Sequence, residues 1–272
     1  MKKASLIISF YNRVDQLQLI IAALEQQTVP DFEVIISDDG SNDEAVEKLN
    51  KIIAASPLSI QHIWHPDNGF NKTKILNKSI IASKSEYIIF IDGDCIPAVH
   101  FIEDHLKYAK KNRAVVGRRV ELSDKLSKEI NPQFIYSKSY NRLWMKALAN
   151  SFNGETRKAE EGIRIGNKWL NEKLGSTKKG ILGCNFSLHK ETLLKINGFD
   201  ERYIHPGVGE DTEIRLRLNN GGYDIFSPAF ALVQFHLWHK RLSRAGEKDN
   251  LVLLEETIQN NYVKTPYGIN KE

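Results

Sequence analysis

Short apolar blocks alternate with amphipathic segments along the first third of the chain, and this alternation limits the possible folds more than any other feature. The blocks are rich in β-branched and aromatic residues, as expected for strands that are buried on both faces. They predict strands at residues 4–10, 33–37, 59–64 and 87–91. Between them, apolar residues recur at helical spacing, as Leu17, Ile20 and Leu24 do. This order predicts an α/β protein with a mostly parallel central sheet and helices on both faces.

Polar segments stand at the carboxyl ends of three of these predicted strands. They are residues 9–13 (SFYNR), 38–41 (DDGS) and 92–94 (DGD). Such sheets bind ligands beyond the carboxyl ends of their strands, so the fold would gather the three segments at one edge. Asp92 and Asp94 repel each other unless a cation lies between them, and the alternative is a pair of acids solvated in a turn. The sequence therefore predicts a ligand site at this edge, with a metal ion as one interpretation of the paired acids.

The pattern changes in the middle of the chain and then returns. Residues 118–180 are rich in lysine and arginine and have helical apolar spacing, which predicts a helical insertion. Beyond it we expect a strand-like run at 180–188, helices at 190–196 and 212–219, a strand at 230–235 and a helical tail at 241–272. We expect one domain over residues 1–240, composed of segments 1–117, 118–180 and 181–240 and followed by the tail.

The composition is that of an ordinary soluble globular protein, with 272 residues of which 41% are hydrophobic and 26% charged. No apolar run approaches the ~20 residues needed to cross a bilayer, and the start of the chain lacks the apolar length and cleavage site of a signal peptide. Cys95 and Cys184 are too few for a disulfide framework or a zinc site. We therefore expect a cytoplasmic protein, whose net charge of +4 permits an anionic partner such as a nucleotide, a phospholipid surface or an acidic glycan.

Six motifs follow one another at plausible spacing on this α/β framework. They are SFYNR at 9–13, DDGS at 38–41, DGD at 92–94, GFDE at 198–201, GED at 209–211 and His236. Their order resembles the family 2 inverting glycosyltransferases with the GT-A fold, which is Rossmann-like, and the resemblance covers roughly residues 4–240. It implies a nucleotide-diphosphate sugar donor, commonly UDP-linked, a bridging Mn²⁺ or Mg²⁺ ion, and a saccharide or lipid-linked saccharide acceptor, with no nucleic acid. Similar enzymes commonly build bacterial lipopolysaccharide, capsule or other surface glycans, where the lysines of the insertion would rest on an anionic membrane surface.

The resemblance places the metal site at the DGD motif. Asp94 is the expected ligand, with Asp92 facing the ribose or the metal through water. A hard cation held by carboxylate oxygens would neutralise the charge that develops on the leaving diphosphate. His236 is the expected further ligand, and His239 is a competing candidate near the end of the same strand. A packed histidine without a ligand is the alternative interpretation of each.

The same resemblance assigns the nucleotide base to the DDGS motif. Asp39 would accept a hydrogen bond from the N3–H of uracil, with Asp38 as the alternative. A turn that caps the next helix would explain the same two acids without a ligand. Tyr11 would lie against the base, and Arg13 would reach a phosphate. The alternative for this segment is a helix N-terminal cap followed by a solvated arginine.

Residues 67–77 correspond to a family segment that often carries an arginine. Leu76 stands at that position, so Lys72 or Lys74 would supply the positive charge instead. The alternative is that both lysines lie on a solvated helix face. The further residues expected to line the nucleotide site are Ser9, Asn12, Asn77, Gly93 and Asn185.

Glu210 and Asp211 are the expected catalytic pair. Inversion needs a base that takes the proton from the acceptor hydroxyl as it attacks opposite the leaving nucleotide. Asp211 matches the base of the family, and Glu210 would orient the acceptor or raise the pKa of the base. The alternative is a helix N-terminus whose acids simply suit the helix dipole.

Two other functions share part of this pattern. A sugar-1-phosphate nucleotidyltransferase usually has a glycine-rich basic loop after the first strand, which residues 9–13 lack. A non-catalytic module that binds sugar nucleotides would keep Asp39 and Asp94 without needing Asp211. A dehydrogenase is disfavoured, because no G-x-G-x-x-G motif follows the first strand.

Overall fold

The computed structural model describes residues 2–207, 209–240 and 246–271. The strands are β1 (Ala4–Phe10), β2 (Phe32–Asp38), β3 (Ile60–Trp64), β4 (Tyr87–Asp92), β5 (Cys95–Pro97), β6 (Arg113–Val116), β7 (Val120–Glu121), β8 (Asn185–His189), β9 (Asp224–Phe226) and β10 (Gln234–His236). The helices are α1 (Val14–Leu24), α2 (Asp43–Ala55), α3 (Lys72–Ala82), α4 (Phe101–Tyr108), α5 (Asp124–Glu129), α6 (Pro132–Tyr136), α7 (Leu143–Ser151), α8 (Lys168–Lys173), α9 (Lys190–Lys195), α10 (Glu210–Asn220) and α11 (Glu247–Gln259). The strand–helix alternation predicted for the first third of the chain is confirmed.

The central sheet of the described residues has the order β3-β2-β1-β4-β8-β6-β9. The strands β1 to β4 are parallel, and β8 runs antiparallel to both β4 and β6. The register sets Ser9 opposite both Ser37 and Asp92, and it sets Phe10 opposite Asp38. The polar segments that follow these strands therefore begin at one edge of the sheet, as the sequence predicted.

Apolar side chains cover both faces of this sheet. Leu6 and Ile8 of β1 pack in one buried cluster with Leu17 of α1, whereas the intervening Ile7 packs in another with Ile80 of α3. Each fully buried side chain of this size stabilises the fold by about 1.5–3 kcal/mol. The two apolar layers therefore hold the strand ends, and the loops that follow them, in fixed positions.

A second, small sheet has the order β5-β10-β7. The strand β10 pairs antiparallel with β5 and parallel with β7, and His236 lies opposite Cys95. The N–H group of Leu237 also donates a hydrogen bond of 2.9 Å to the carbonyl of Asp94. Backbone pairing thus brings the end of β10 next to the DGD motif.

The strand predicted at 230–235 is wrong in its bounds, because β10 begins only at Gln234. Phe230 and Leu232 have φ angles of 47° and 58°, which a strand does not allow. Leu232 and Val233 are nevertheless buried. The apolar run there reflects burial of a loop and not strand conformation.

The helical insertion and the C-terminal helix are both confirmed. Helices α5 to α8 lie within the insertion, and α11 lies within the predicted tail, of which residues 241–245 and 272 fall outside the described residues. In the part of the chain that the structure describes, no helix combines the length and the apolar character that crossing a bilayer requires.

Candidate active site

Asp94, His236 and His239 form a cluster of possible metal ligands beyond the end of β4. His239 Nε2 lies 3.0 Å from Asp94 Oδ2, and His236 Nε2 lies 3.6 Å from the same oxygen. The possible ligand atoms, one from each residue, all lie within 4.8 Å of one another. The structure therefore brings both candidate histidines to Asp94, where the sequence left a choice between them.

The electrostatics of this cluster suit a cation. Burial opposes charge on Asp94, but hydrogen bonds from His236 and His239 hold its pKa well below the usual range. The hydrogen bond with Asp94 in turn raises the pKa of His239. One carboxylate and two imidazoles form a donor set for a first-row transition ion such as Mn²⁺, and they suit Mg²⁺ less, because Mg²⁺ prefers oxygen ligands.

Asp92 lies outside that cluster and pairs with Lys72. Lys72 Nζ donates hydrogen bonds to Asp92 Oδ1 (3.0 Å) and to Glu210 Oε1 (3.3 Å). Burial opposes charge on Lys72, but Asp92 and Glu210 raise the pKa of its amine. Lys74 forms no ion pair within the described residues, so the geometry favours Lys72 as the lysine that supplies charge to the site.

Glu210 and Asp211 are the first two residues of α10. Burial raises the pKa of Glu210 against the opposing effect of Lys72. Asp211 Oδ2 accepts a long hydrogen bond from the Gly183 N–H (3.4 Å), and Oδ1 accepts one from the Thr212 hydroxyl (3.3 Å). Asp211 is partly exposed, whereas Glu210 is held by Lys72. Asp211 is therefore the acid of this pair that a substrate hydroxyl reaches more readily.

Asp38 and Asp39 have different surroundings. Asp38 is fully buried, and its carboxylate accepts a hydrogen bond from the backbone of its own turn (2.8 Å) and lies 2.9 Å from His62 Nε2. Asp39 lies 2.7 Å from His65 Nε2 and accepts a hydrogen bond from the Asn71 N–H (2.9 Å). Burial raises the pKa of Asp39, although the bond with His65 opposes this. The turn interpretation fits Asp38, which leaves Asp39 as the better candidate for a ligand.

Tyr11 and Arg13 lie on the loop after β1. Tyr11 is 49% exposed, and its hydroxyl donates a hydrogen bond of 2.9 Å to Asp67 Oδ2. Arg13 forms no ion pair within the described residues, but its charge acts to lower the pKa of His239. The side chain of Arg13 is exposed, as a phosphate contact would require.

Three predicted binding residues are held by the protein backbone. Asn12 Oδ1 accepts a hydrogen bond from the Asn42 N–H (3.0 Å). The amide of Asn77 exchanges hydrogen bonds of 2.9 and 2.8 Å with the backbone of Phe199. Asn185 is fully buried and donates to two carbonyls, at 2.7 and 2.8 Å. These contacts position the loops around the site. They also use side-chain atoms of residues that the sequence predicted to bind the nucleotide.

Ser9 and Gly93 lie against each other at the edge of the sheet. A Cβ atom on Gly93 would lie 2.7 Å from the carbonyl oxygen of Ser9. The DGD turn therefore needs a glycine at its centre, because any side chain would displace either β1 or the turn itself.

Three further residues of this region are not among those predicted from the sequence. His62 and His65 contact the acids of the DDGS motif, and Arg119 Nη1 lies 3.5 Å from Cys184 Sγ. None of them belongs to a motif or a regular spacing. Only the tertiary fold brings them to the site.

Comparison with known proteins identifies the family. A family model described as glycosyl transferase family 2 matches residues 5–175. This chain belongs to that family. A second model, described as the N-terminal domain of galactosyltransferase, matches residues 170–240. This membership confirms the family that the order of the sequence motifs resembles.

Two relatives of this family 2 chain are polysaccharide synthases by name. The chondroitin synthase of Escherichia coli is 26% identical over 280 residues, which cover 98% of this chain and 39% of the synthase. The hyaluronan synthase of Pasteurella multocida is 26% identical over 250 residues, which cover 85% of this chain and 24% of that protein. The chain thus spans well under half the length of these relatives.

A solved structure supports the fold assignment of this family 2 chain. The mannosyltransferase PcManGT from Pyrobaculum calidifontis, in complex with GDP-Man and Mn²⁺, aligns with a TM-score of 0.62 at 17% sequence identity. The alignment covers 97% of this chain and 66% of the mannosyltransferase. The expected GT-A fold is confirmed.

Proposed function

We propose that this family 2 chain transfers a sugar from a nucleotide-diphosphate donor to a hydroxyl group of a saccharide acceptor. The observation that carries the proposal is the convergence of two groups of side chains at one edge of the sheet. Asp94 with its two histidines forms one group, and Asp211 beside Glu210 forms the other. Lys72 bonds to Asp92, two residues before Asp94, and to Glu210 of the second group. The first group suits a metal-bound diphosphate, and the second contains a candidate base.

The cluster of Asp94, His236 and His239 would hold a divalent cation, which we propose to be Mn²⁺. When bound, the ion would neutralise the charge that develops on the leaving diphosphate. The donor set favours this assignment, and PcManGT, which shares the fold, was solved with GDP-Man and Mn²⁺. Arg13, exposed on the loop after β1, would donate hydrogen bonds to a phosphate oxygen.

We propose that the donor is a UDP-sugar and that Asp39 recognises the uracil. Each Asp39 oxygen has one partner, His65 or the backbone of Asn71, and a carboxylate oxygen can accept a further bond. The half-exposed ring of Tyr11 lies on the neighbouring loop, where a base would stack. This arrangement supports a pocket for the base beside the phosphate site.

We propose that Asp211 acts as the general base. It would take the proton of the acceptor hydroxyl while that oxygen attacks the anomeric carbon from the side opposite the diphosphate, which inverts the configuration. The exposure of Asp211 and its long, weak hydrogen bonds leave its oxygens available to the acceptor. Glu210, fixed by Lys72, would orient the acceptor.

The acceptor is proposed to be a growing cell-surface polysaccharide or lipid-linked saccharide. The names of the relatives, chondroitin and hyaluronan synthase, support a polysaccharide product. Trp238 is 52% exposed directly after His236 and Leu237, where it would stack on a sugar ring. Acidic oligosaccharides are therefore suitable probes of acceptor binding.

We propose that the protein works in the cytoplasm, in contact with the inner face of an anionic membrane. Residues 118–179 carry 14 lysines and arginines against 7 aspartates and glutamates. The same segment exposes the apolar side chains of Phe152 (86%) and Trp169 (66%). Basic charge next to exposed aromatic residues is the combination that favours an anionic lipid surface.

Thermal unfolding with UDP-, GDP- and dTDP-sugars, each with and without Mn²⁺, tests the donor and the metal. A donor at ~100 times its dissociation constant stabilises the protein by about 2.7 kcal/mol. The substitution Asp94→Asn should abolish the part of the shift that depends on Mn²⁺. Asp31→Asn, at an exposed acid outside the site, should behave as the wild type. If none of the donors shifts the transition, the proposed function is wrong.

The substitution Asp211→Asn separates transfer from binding. The variant should keep the donor-dependent shift while the transfer rate falls by about 10²–10⁴-fold, because a general base contributes on that order. Undiminished transfer by this variant would rule out Asp211 as the base. A wild-type protein that binds donors but transfers no sugar would indicate a binding module. Formation of a sugar nucleotide from a sugar phosphate and a nucleoside triphosphate would indicate a nucleotidyltransferase.

A further inference from the structure

Arg119 lies beside the loop that contains Gly183 and Cys184, although no motif of the sequence includes it. It directly precedes β7, which pairs with β10, the strand that ends at His236. Its Nη1 atom lies 3.5 Å from Cys184 Sγ. The backbone N–H of the preceding residue, Gly183, donates to Asp211 Oδ2 at 3.4 Å. Arg119 is therefore held against the loop that also contacts the proposed base.

The guanidinium of Arg119 lacks the strong hydrogen-bond acceptors that Arg118 and Arg164 have. Within the described residues it forms no ion pair, and its hydrogen bond to the Cys184 thiol uses a weak acceptor. In contrast, Arg118 donates to two backbone carbonyls, at 3.2 and 2.9 Å, and Arg164 pairs with Asp104 at 2.8 Å. A guanidinium has five N–H donors, and burying donors without acceptors is costly. Arg119 therefore has donors available for a ligand.

Asp92 and Asp94 favour the charged form of Arg119, but within the described residues they form no ion pair with it. Burial opposes charge on Arg119, yet the pKa of its guanidinium is raised by the neighbouring Cys184 and Cys95 and by Asp92 and Asp94. No carboxylate oxygen of the described residues lies within ion-pair distance of it. Arg119 is therefore a charged and partly buried residue. The two acids that act on it already have other partners, because Asp92 pairs with Lys72 and Asp94 with the two histidines.

We propose that Arg119 binds an oxyanion of the substrate in the space between Asp94 and Asp211. The inference rests on the proposed function, because it assigns the ligand to the same cleft. A guanidinium forms two parallel N–H···O bonds with a phosphate or a carboxylate alike. The oxyanion therefore belongs either to the diphosphate of the donor or to a carboxylate on an acidic acceptor sugar.

Titration calorimetry with UDP and with uridine, both in the presence of Mn²⁺, tests the donor as the source. Arg119→Gln should weaken UDP binding by about 10–100-fold and leave uridine binding unchanged, since a charge-assisted pair of bonds is lost. Arg119→Lys keeps the charge without the planar fork and should show an intermediate loss. Arg142→Gln, at an exposed arginine of the insertion, should match the wild type.

A chondroitin hexasaccharide and its carboxyl-reduced form test the acceptor as the source. A selective loss of affinity for the acidic form in Arg119→Gln would assign the oxyanion to the acceptor. If the wild type binds UDP and Arg119→Gln binds both UDP and the hexasaccharide with the wild-type affinity, Arg119 does not bind the oxyanion. The proposed function would not be affected by that result. A wild-type protein that binds neither probe would overturn this role together with the proposed function. If Arg119→Gln unfolds at a lower temperature than the other proteins, the comparison of UDP with uridine in Arg119→Lys decides the outcome.

Discussion

At the scale of single residues, the site is organised by the way its acids are paired. Four carboxylates meet at this edge: Asp92, Asp94, Glu210 and Asp211. Unpaired acids so close together would raise one another's pKa and become partly protonated. Lys72 balances Asp92 and Glu210, and the histidines balance Asp94. Within the described residues, Asp211 alone among the four has only weak neutral donors, which suits its proposed role as the base.

A buried histidine outside the site makes stability depend on pH. His105 is fully buried, with Nδ1 2.7 Å from Ser187 Oγ and Nε2 3.2 Å from Asn185 Oδ1. Burial lowers the pKa of His105 to about 3. In the unfolded chain the imidazole titrates near ~6.5, so stability is complete above that pH and is lost as the pH falls from ~6.5 towards 3. The loss approaches about 1.4 kcal/mol per pH unit within this window.

Urea unfolding at several pH values between ~7.5 and ~5 measures this dependence. His105→Gln should have a shallower pH slope than the wild type, whatever its absolute stability, because it removes the titrating group. His100→Gln, at a half-exposed histidine near the start of α4, should leave the slope unchanged. Equal slopes for His105→Gln and the wild type would show that His105 is not the group responsible.

At the scale of elements, the long strands of the central sheet were predictable and the short strands were not. The strands β1 to β4 are five to seven residues long and mostly apolar, so their pattern is clear in the sequence. The strands β5, β7 and β10 have only two or three residues, too few for any periodicity. Pairing of these short strands brings His236 and His239 to Asp94 and places Arg119 directly before β7 of the same small sheet. The sequence therefore predicted which edge of the sheet carries the site but left the partners of Asp94 open.

The predicted site residues divide in the same way, into those that the local sequence pattern could place and those that depend on tertiary packing. Asp39, Asp94 and Asp211 stand directly at the ends of predicted elements, and the structure places all three at the expected edge. Asn77 and Asn185 also match the expected positions, but their amides bond to the backbone. Whether an asparagine faces a ligand or a neighbouring loop depends on long-range packing, which a local pattern does not contain.

The turn between β4 and β5 depends on the absence of a side chain at Gly93. In Gly93→Ala the new Cβ would lie 2.7 Å from the backbone oxygen of Ser9, so the turn must shift and carry Asp94 with it. We expect a loss of about 1–3 kcal/mol in unfolding free energy, as for overpacking elsewhere, together with weaker Mn²⁺-dependent donor binding. Urea unfolding and the thermal-shift assay measure the two effects.

Gly166→Ala is the matched control for this substitution. Gly166 is exposed, and the nearest atom to an added Cβ is the end of the Arg164 side chain at 3.9 Å. This variant should keep both its stability and its donor binding. A Gly93→Ala protein that was indistinguishable from it would mean that the turn tolerates a side chain.

At the scale of the whole molecule, basic charge is concentrated in the insertion. The complete chain has a net charge of +4, whereas residues 118–179 have twice as many basic as acidic residues. The apolar side chains of Phe152 and Trp169 are exposed in the same segment. An oriented contact with an anionic surface would use both features, the charge for attraction and the aromatic residues for insertion.

Sedimentation with lipid vesicles tests this contact. The protein should bind vesicles that contain anionic phosphatidylserine, bind less at high salt because the attraction is screened, and stay off neutral vesicles. Phe152→Ser should weaken the binding, while Ile81→Ser, at an exposed apolar residue outside the insertion, should not. A protein that remains in solution with anionic vesicles at low salt would rule out the membrane contact.

The three-residue strand β10 has a consequence for how the site tolerates change. Side chains alternate between the faces of a strand, so a slip of one residue against β5 would turn His236 away and present Leu237 to Asp94. An insertion or deletion in the loop before Gln234 that causes this slip would place Leu237 where His236 now faces Asp94. No residue of the cleft itself would have been substituted. Loss of function in natural variants of this chain can therefore originate in loop length, upstream of every residue that touches the substrate.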